Sequence, residues 1–182
     1  MGKTDDEIIQ ALDANIAYFN VESEDELKNL IRLAKQRGKC PKVALRINPD
    51  IDIETHPYTT TGKRETKFGI DIDRAERVFN QFGKATNIKL CAIHVHLGSA
   101  GRTIQPYIDA IKKILTLIEQ LRSRGFTIEA INIGGGYGAD YITGTAPTAA
   151  DYAAAIVPLL EDKNLNPYSL SSSPLFPPPL FS

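Results

Sequence analysis

Ala92-Ile-His-Val-His-Leu-Gly-Ser99 decides how the rest of this chain is read. His94 and His96 lie two residues apart, so on a strand both point to one face. Apolar residues lead up to them from Ile88, and Gly98-Ser99 follows where the chain must turn. Strict alternation puts Ile88, Leu90, Ala92, His94 and His96 on one face and Cys91, Ile93, Val95 and Leu97 on the other. Both faces are mostly apolar, as in a parallel strand covered on both sides. Polar side chains at the C-terminal end of such a strand, ahead of a small-residue loop, mark a ligand site in α/β proteins.

On either side of this stretch, strand and helix patterns alternate. Thr4 with Glu7 forms a capping box ahead of Ile8, Ile9 and Leu12, predicting a helix to about Asn15. Ile16 to Val21 reads as a buried strand. Ser23 with Glu26 forms a second box, and Leu27, Leu30, Ile31 and Ala34 recur at helical spacing up to Gly38. Lys42 to Ile47 is the next strand, stopped by Asn48-Pro49-Asp50. Residues 48 to 68 form a connection long enough to be functional. Asp73 is placed as the cap of a helix through Val78 and Phe79 to Gly83. Ile104, Ile108, Ile111, Leu115, Ile118 and Leu121 define a long helix, with Pro106 in its first turn and Gly125 at its end. Ala130 to Ile133 is a strand running into Gly134-Gly-Gly-Tyr-Gly138, and Pro147 to Leu160 is a helix. Strands alternating with helices favour a parallel sheet with right-handed crossovers.

Composition narrows the function classes. The chain has 182 residues and a formal net charge of −1, with acids and bases interspersed. No basic stripe points to nucleic acid; Lys112, Lys113, Arg122 and Arg124 read as the solvated face of a helix. No apolar run approaches a membrane span, and Met1 to Glu7 lacks the apolar core of a signal peptide. Cys40 and Cys91 are too few and too far apart for a disulfide framework, so a reducing, cytoplasmic setting is expected. Asn166 to Ser182 carries no charge, no periodicity and many prolines. It reads as a disordered or out-of-frame tail on a domain of residues 1–165.

The chemistry-bearing residues leave alternatives open. His94 and His96 fit a zinc pair, satisfied core histidines or a ligand site; no third ligand lies near, since His56 is in a distant loop. Gly134, Gly135 and Gly136 after a strand let backbone N–H groups cradle a phosphate, or simply make a tight turn. Gly134, Gly136 and Ala139 also fit the G-x-G-x-x-A dinucleotide pattern, although loop-like residues follow where that motif opens a helix. Arg46, at the end of a buried strand, needs a partner, either a cofactor oxygen or a neighbouring carboxylate. Lys67 lies between the long connection and an apolar segment. Neither cysteine sits in an activating context.

Several stretches in order resemble one family. They are Asn20-Val-Glu-Ser23, Ala44-Leu-Arg-Ile-Asn-Pro-Asp50, Thr55-His-Pro-Tyr58, Thr61-Gly62, Lys67-Phe-Gly-Ile70, His94-Val-His-Leu-Gly-Ser99 and Ile133-Gly-Gly-Gly136. Together they resemble the fold-type III pyridoxal 5'-phosphate (PLP) decarboxylases, the diaminopimelate branch more than the ornithine or arginine branches. The resemblance implies a partial (β/α)8 TIM barrel of about four strand–helix units. It implies PLP as cofactor, an amino-acid substrate, a homodimer, and decarboxylation of meso-diaminopimelate to L-lysine. It implies that His96 stacks on the pyridine ring, that Ser99 and the Gly134–Gly136 backbone bind the phosphate, that Arg46 lies near the ring, and that Lys67 lies at the site edge.

The same resemblance implies that the catalytic set is incomplete. The family's Schiff-base lysine falls upstream of Met1, and its Glu-Pro-Gly-Arg segment is replaced by the proline-rich tail. The chain is therefore expected to be an inactive piece of the decarboxylase. The alternatives are a related ornithine, arginine or carboxynorspermidine decarboxylase, or a non-catalytic paralogue that binds PLP or pairs with a full-length subunit.

Overall fold

A computed structural model describes residues 2–51, 68–97, 103–135, 147–161, 163 and 165–167. The first helix, α1 (Asp5–Asp13), starts where local chemistry dictates. Thr4 Oγ1 accepts the Glu7 N–H at 3.3 Å, and the Glu7 carboxylate accepts the Thr4 N–H at 2.8 Å. Strand β1 (Phe19–Val21) is shorter than the Ile16–Val21 run that predicted it. Helix α2 (Glu24–Gln36) begins at Ser23, whose Oγ accepts from the Glu26 N–H. The return arm is shifted by one residue: the Glu26 carboxylate accepts from the Glu22 N–H at 2.7 Å.

Next come β2 (Lys42–Asn48), β3 (Ile70–Asp71) and α3 (Ile72–Phe82). Asp71 and not Asp73 is the N-cap of α3, and its side chain makes no capping bond. Strand β4 (Lys89–His94) leads to the longest helix, α4 (Gln105–Ser123). Strand β5 (Ala130–Asn132), α5 (Ala149–Glu161) and β6 (Asn166–Pro167) complete the described chain. Helix α5 has a capping box that the sequence reading passed over: Thr148 Oγ1 accepts the Asp151 N–H, and the Asp151 carboxylate accepts the Thr148 N–H.

All strand pairs are parallel, in the order β1-β2-β4-β5-β6, with β3 pairing with the end of β2. The order follows the chain without reversal. A doubly wound dinucleotide-binding sheet reverses at its switch point, so this sheet does not have that architecture. One face packs on the helices in a core that includes Leu27, Leu45, Phe79, Ile93, Ile111 and Ile118. The other carries a small cluster of Ala44, Ala92 and Ala130 beside Tyr18. Sequential parallel strands with helices outside and small residues inside make part of a (β/α)8 wall.

Three readings change. The pairing of β2 with β4 shifts register between Val43 and Ala44, so Cys91 is an extra residue. The shift reverses the face of what precedes it: Ile88 and Leu90 join the helix-side core with Ile93 and Val95, while Ala92 lies inside. Next, Asn166–Pro167 pair with Ala130–Ile131 as a strand, so the sheet runs past the boundary drawn at residue 165. The rest of that tail, 168–182, lies outside the described residues. Finally, the basic residues of α4 and its end are not merely solvated. Arg122 donates to the carbonyls of Ile128 and Lys163, Arg124 pairs with Glu76, and Lys113 donates to the carbonyls of Pro49 and Asp50.

Candidate functional site

The C-terminal end of the inner face collects polar residues by register. Arg46 of β2 is the partner of His94 of β4, and His94 is the partner of Asn132 of β5. One inward step below them lie Ala44, Ala92 and Ala130, also register partners. The alternation that buries the alanines therefore raises a row of polar side chains at the strand ends.

Arg46 has the carboxylate partner left open by its sequence. Its Nη1 donates to Glu22 Oε1 at 2.7 Å, with the two side chains 13% and 30% exposed. The Phe68 ring lies 5.5 Å from the guanidinium on the solvent side. Gly69 passes close behind, where a Cβ would come within 3.0 Å of the Arg46 carbonyl oxygen.

His96 lies just beyond β4, exposed on one side and packed on Gly134 on the other. A Cβ at Gly134 would lie 2.7 Å from the Val95 carbonyl oxygen and 2.8 Å from His96 Nδ1, and its φ is +68°. Both the space and the backbone conformation demand glycine. The Gly134 N–H donates to Asn132 Oδ1 at 2.9 Å, and Asn132 Nδ2 donates to Asn20 Oδ1 at 3.4 Å. Gly134 thus shapes the turn, while Gly135 has open space around it.

His94 is 9% exposed, and its Nδ1 is a buried side-chain atom with no hydrogen-bond partner among the described residues. Burial, with the Arg46 charge and His96 adding to it, pushes its pKa down to about 4. Burial and Arg46 also lower that of His96. Both imidazoles are therefore neutral near pH 7. Among the described residues no group of three or more His, Cys, Asp or Glu could hold a metal ion, and the Arg46 cation opposes one here.

The structure thus brings together Arg46, His96, Gly134 and Gly135 of the expected site; Lys67, Ser99 and Gly136 lie outside the described residues. The sequence reading assigned no role to Asn20, Glu22, Phe68 or Asn132. A signal was present: Asn20 and Glu22 are two residues apart at β1 and its end, and Asn132 lies two residues before Gly134.

Neutral imidazole, fixed cation and glycine turn at the C-terminal ends of parallel strands define a cofactor-binding α/β wall. The chain belongs to the family described as "Pyridoxal-dependent decarboxylase, pyridoxal binding domain", whose model matches residues 1–168. It is 41% identical over 161 residues to the diaminopimelate decarboxylase of Vibrio cholerae, covering 88% of this chain and 39% of that enzyme. It is 39% identical over 162 residues to that of Haemophilus influenzae, covering 89% and 39%. The crystal structure of diaminopimelate decarboxylase from Helicobacter pylori complexed with L-lysine superposes with a TM-score of 0.83 at 35% identity, over 92% of this chain and 42% of that one. The chain spans about two fifths of the length of these relatives.

The residues in view fit pyridoxal phosphate. His96 offers an aromatic face to a pyridine ring, Arg46 a fixed cation, and Gly135 a backbone that an anion can approach closely.

Proposed function

We propose that this chain supplies the cofactor-holding strands of a PLP-dependent carboxy-lyase that converts meso-diaminopimelate to L-lysine. The observation that carries the reading is the imidazole of His96 seated on Gly134 at the C-terminal strand ends, with its other side open. The 35–41% identity to diaminopimelate decarboxylases supports the substrate. The arginine decarboxylase of Paramecium bursaria Chlorella virus is more distant, at 26% identity.

In this reading His96 stacks on the pyridine ring. Gly135 and Gly136, with Ser99, donate to the phosphate. When bound, the cofactor is the electron sink for the charge left as carbon dioxide departs. The chain's own groups orient and tune that site. The Arg46–Glu22 pair holds a cation in place without adding net charge. Partial burial and the Arg46 charge both lower the His96 pKa and so favour an uncharged ring for stacking. The same reading assigns Lys67 to the site edge. The family reading also implies a cytoplasmic homodimer. Cys40 and Cys91 are both free thiols, in keeping with a reducing compartment.

The test is titration of the chain with pyridoxamine 5'-phosphate, which lacks the aldehyde and cannot react with surface lysines. Saturable binding, weakened in H96A and absent for pyridoxamine without phosphate, is the expected result. Equal binding by H96A sinks the site. The substrate is tested on the whole reading frame that carries these residues, by comparing L-lysine released from meso-diaminopimelate with putrescine from ornithine and agmatine from arginine.

A further inference from the structure

His94 is the residue whose chemistry the proposed function leaves unused. It lies on the inner face, two residues above Ala92, so its ring stands over the floor made by Ala44, Ala92 and Ala130. Three methyl-sized side chains on neighbouring strands make up that floor. The ring is more than nine-tenths buried, yet its Nδ1 has no partner among the described residues. A buried nitrogen without a hydrogen bond is uncommon enough to need a cause.

The bonds its neighbours make run elsewhere: Arg46 Nη1 donates to Glu22, and Asn132 Oδ1 accepts the Gly134 N–H. Asn132 Nδ2 makes one long bond to Asn20 Oδ1, which leaves a second N–H, and the Asn20 amide group lies on the same face. A buried water needs two to four polar partners and a roomy polar recess. His94, Asn132 and Asn20 provide the partners, and the three alanines extend no more than a methyl group beneath them.

We propose that a single structural water sits above this alanine floor, bound to His94 Nδ1, and that it makes His94 a positioning residue which fixes the level of the His96–Gly134 pair. The linkage is short. His94 and His96 are separated by Val95 alone, and the Val95 N–H donates to the Asn132 carbonyl. The water joins the side chains of the two strands that this backbone bond already joins. The positioning role rests on the cofactor reading above; the water does not.

Two measurements test the idea separately. Nitrogen NMR of the full chain with isotope-labelled histidine, assigned by H94Q, reads Nδ1 directly. A neutral imidazole with a hydrogen-bonded Nδ1 and a cross-peak to slowly exchanging water is expected. The shift of a free imidazole nitrogen, with no water contact, overturns the water site. The second measurement is affinity for pyridoxamine 5'-phosphate. H94F, which keeps the ring shape and removes the polar atoms, should lose about tenfold, the equivalent of one buried hydrogen bond, and H94Q should retain most of the affinity. H94F binding as tightly as the unmodified chain overturns the positioning role. If H94F does not fold, the NMR result still decides the water. If the unmodified chain fails to bind, the cofactor reading fails, and the positioning role with it, while the NMR result stands.

Discussion

Gly134→Ala tests the geometry of the site through stability alone. The residue has φ +68°, a left-handed conformation that costs an L side chain about 1 kcal/mol. Its new Cβ would lie 2.7 Å from the Val95 carbonyl oxygen, and no rotamer change moves backbone. Overpacking of this kind costs about 1–3 kcal/mol, so the sum is about 2–4 kcal/mol. That is a large share of the roughly 5–15 kcal/mol that holds a domain together. Urea unfolding of the full chain measures it as a lower midpoint at unchanged slope. Gly135→Ala is the control: nothing lies within 4 Å of its Cβ, and it should stay within about 0.5 kcal/mol of the parent. The two variants should diverge again in binding. Gly135→Ala should weaken pyridoxamine 5'-phosphate at unchanged stability, because the added methyl blocks close approach of the phosphate. A Gly134→Ala chain as stable as the parent would mean that the turn does not rest on His96, and the site built on that contact would fall.

Other expectations follow from the same structure. The His94 pKa falls from 6.5 in the unfolded chain to about 4 in the fold, so the unfolded state takes up the proton first. Its contribution is full above pH 6.5 and is lost as the pH falls toward 4, a change of up to about 3 kcal/mol. H94Q should flatten the acid limb of the stability profile over that window; an unchanged limb refutes the assignment. Glu22→Gln leaves the Arg46 guanidinium, 13% exposed, without its carboxylate and should cost about 1–2 kcal/mol by chemical denaturation. No loss would show that solvent already satisfies Arg46. Ile93→Ala, at a side chain with 0% exposure near the C-terminal end of β4, should cost about 2–5 kcal/mol, measured in the same way.

The parts of the fold that follow from local chemistry were legible in the sequence. The Thr4–Glu7 box and the apolar spacing of α4 are written within a few residues, and the structure places both as read. What failed depended on partners far along the chain. β3 is two residues long and exists because it meets the end of β2, which no local period announces. The register shift at Cys91 arises from the fit between β2 and β4, and strict alternation could not foresee it. The site shows the same division. Arg46 was recognisable as a buried cation in need of a partner, but Glu22, which answers it, lies 24 residues away, just past the end of β1. Asn132 and Asn20 meet across 112 residues. The sequence reading assigned them no role; only the fold of the parallel sheet made them neighbours.

The two ends of the inner face carry similar residue types and differ in what is left over. At the N-terminal end Glu129 accepts from Tyr18 Oη at 2.9 Å and from Cys91 Sγ at 3.5 Å, and it pairs with Lys42. One carboxylate thus ties together the starts of four neighbouring strands. Burial and Glu129 push the Tyr18 phenol up to about 12 and the Cys91 thiol up to about 11, so neither titrates near neutral pH and neither is a nucleophile. At the C-terminal end Arg46 is paired, but His96 is open on one side, Gly135 is uncrowded, and His94 Nδ1 is unanswered. Polar groups that satisfy one another are bound by the fold for stability, whereas a buried group with capacity to spare costs free energy until something occupies it. By that criterion the N-terminal cluster is a clasp and the C-terminal cluster is a site.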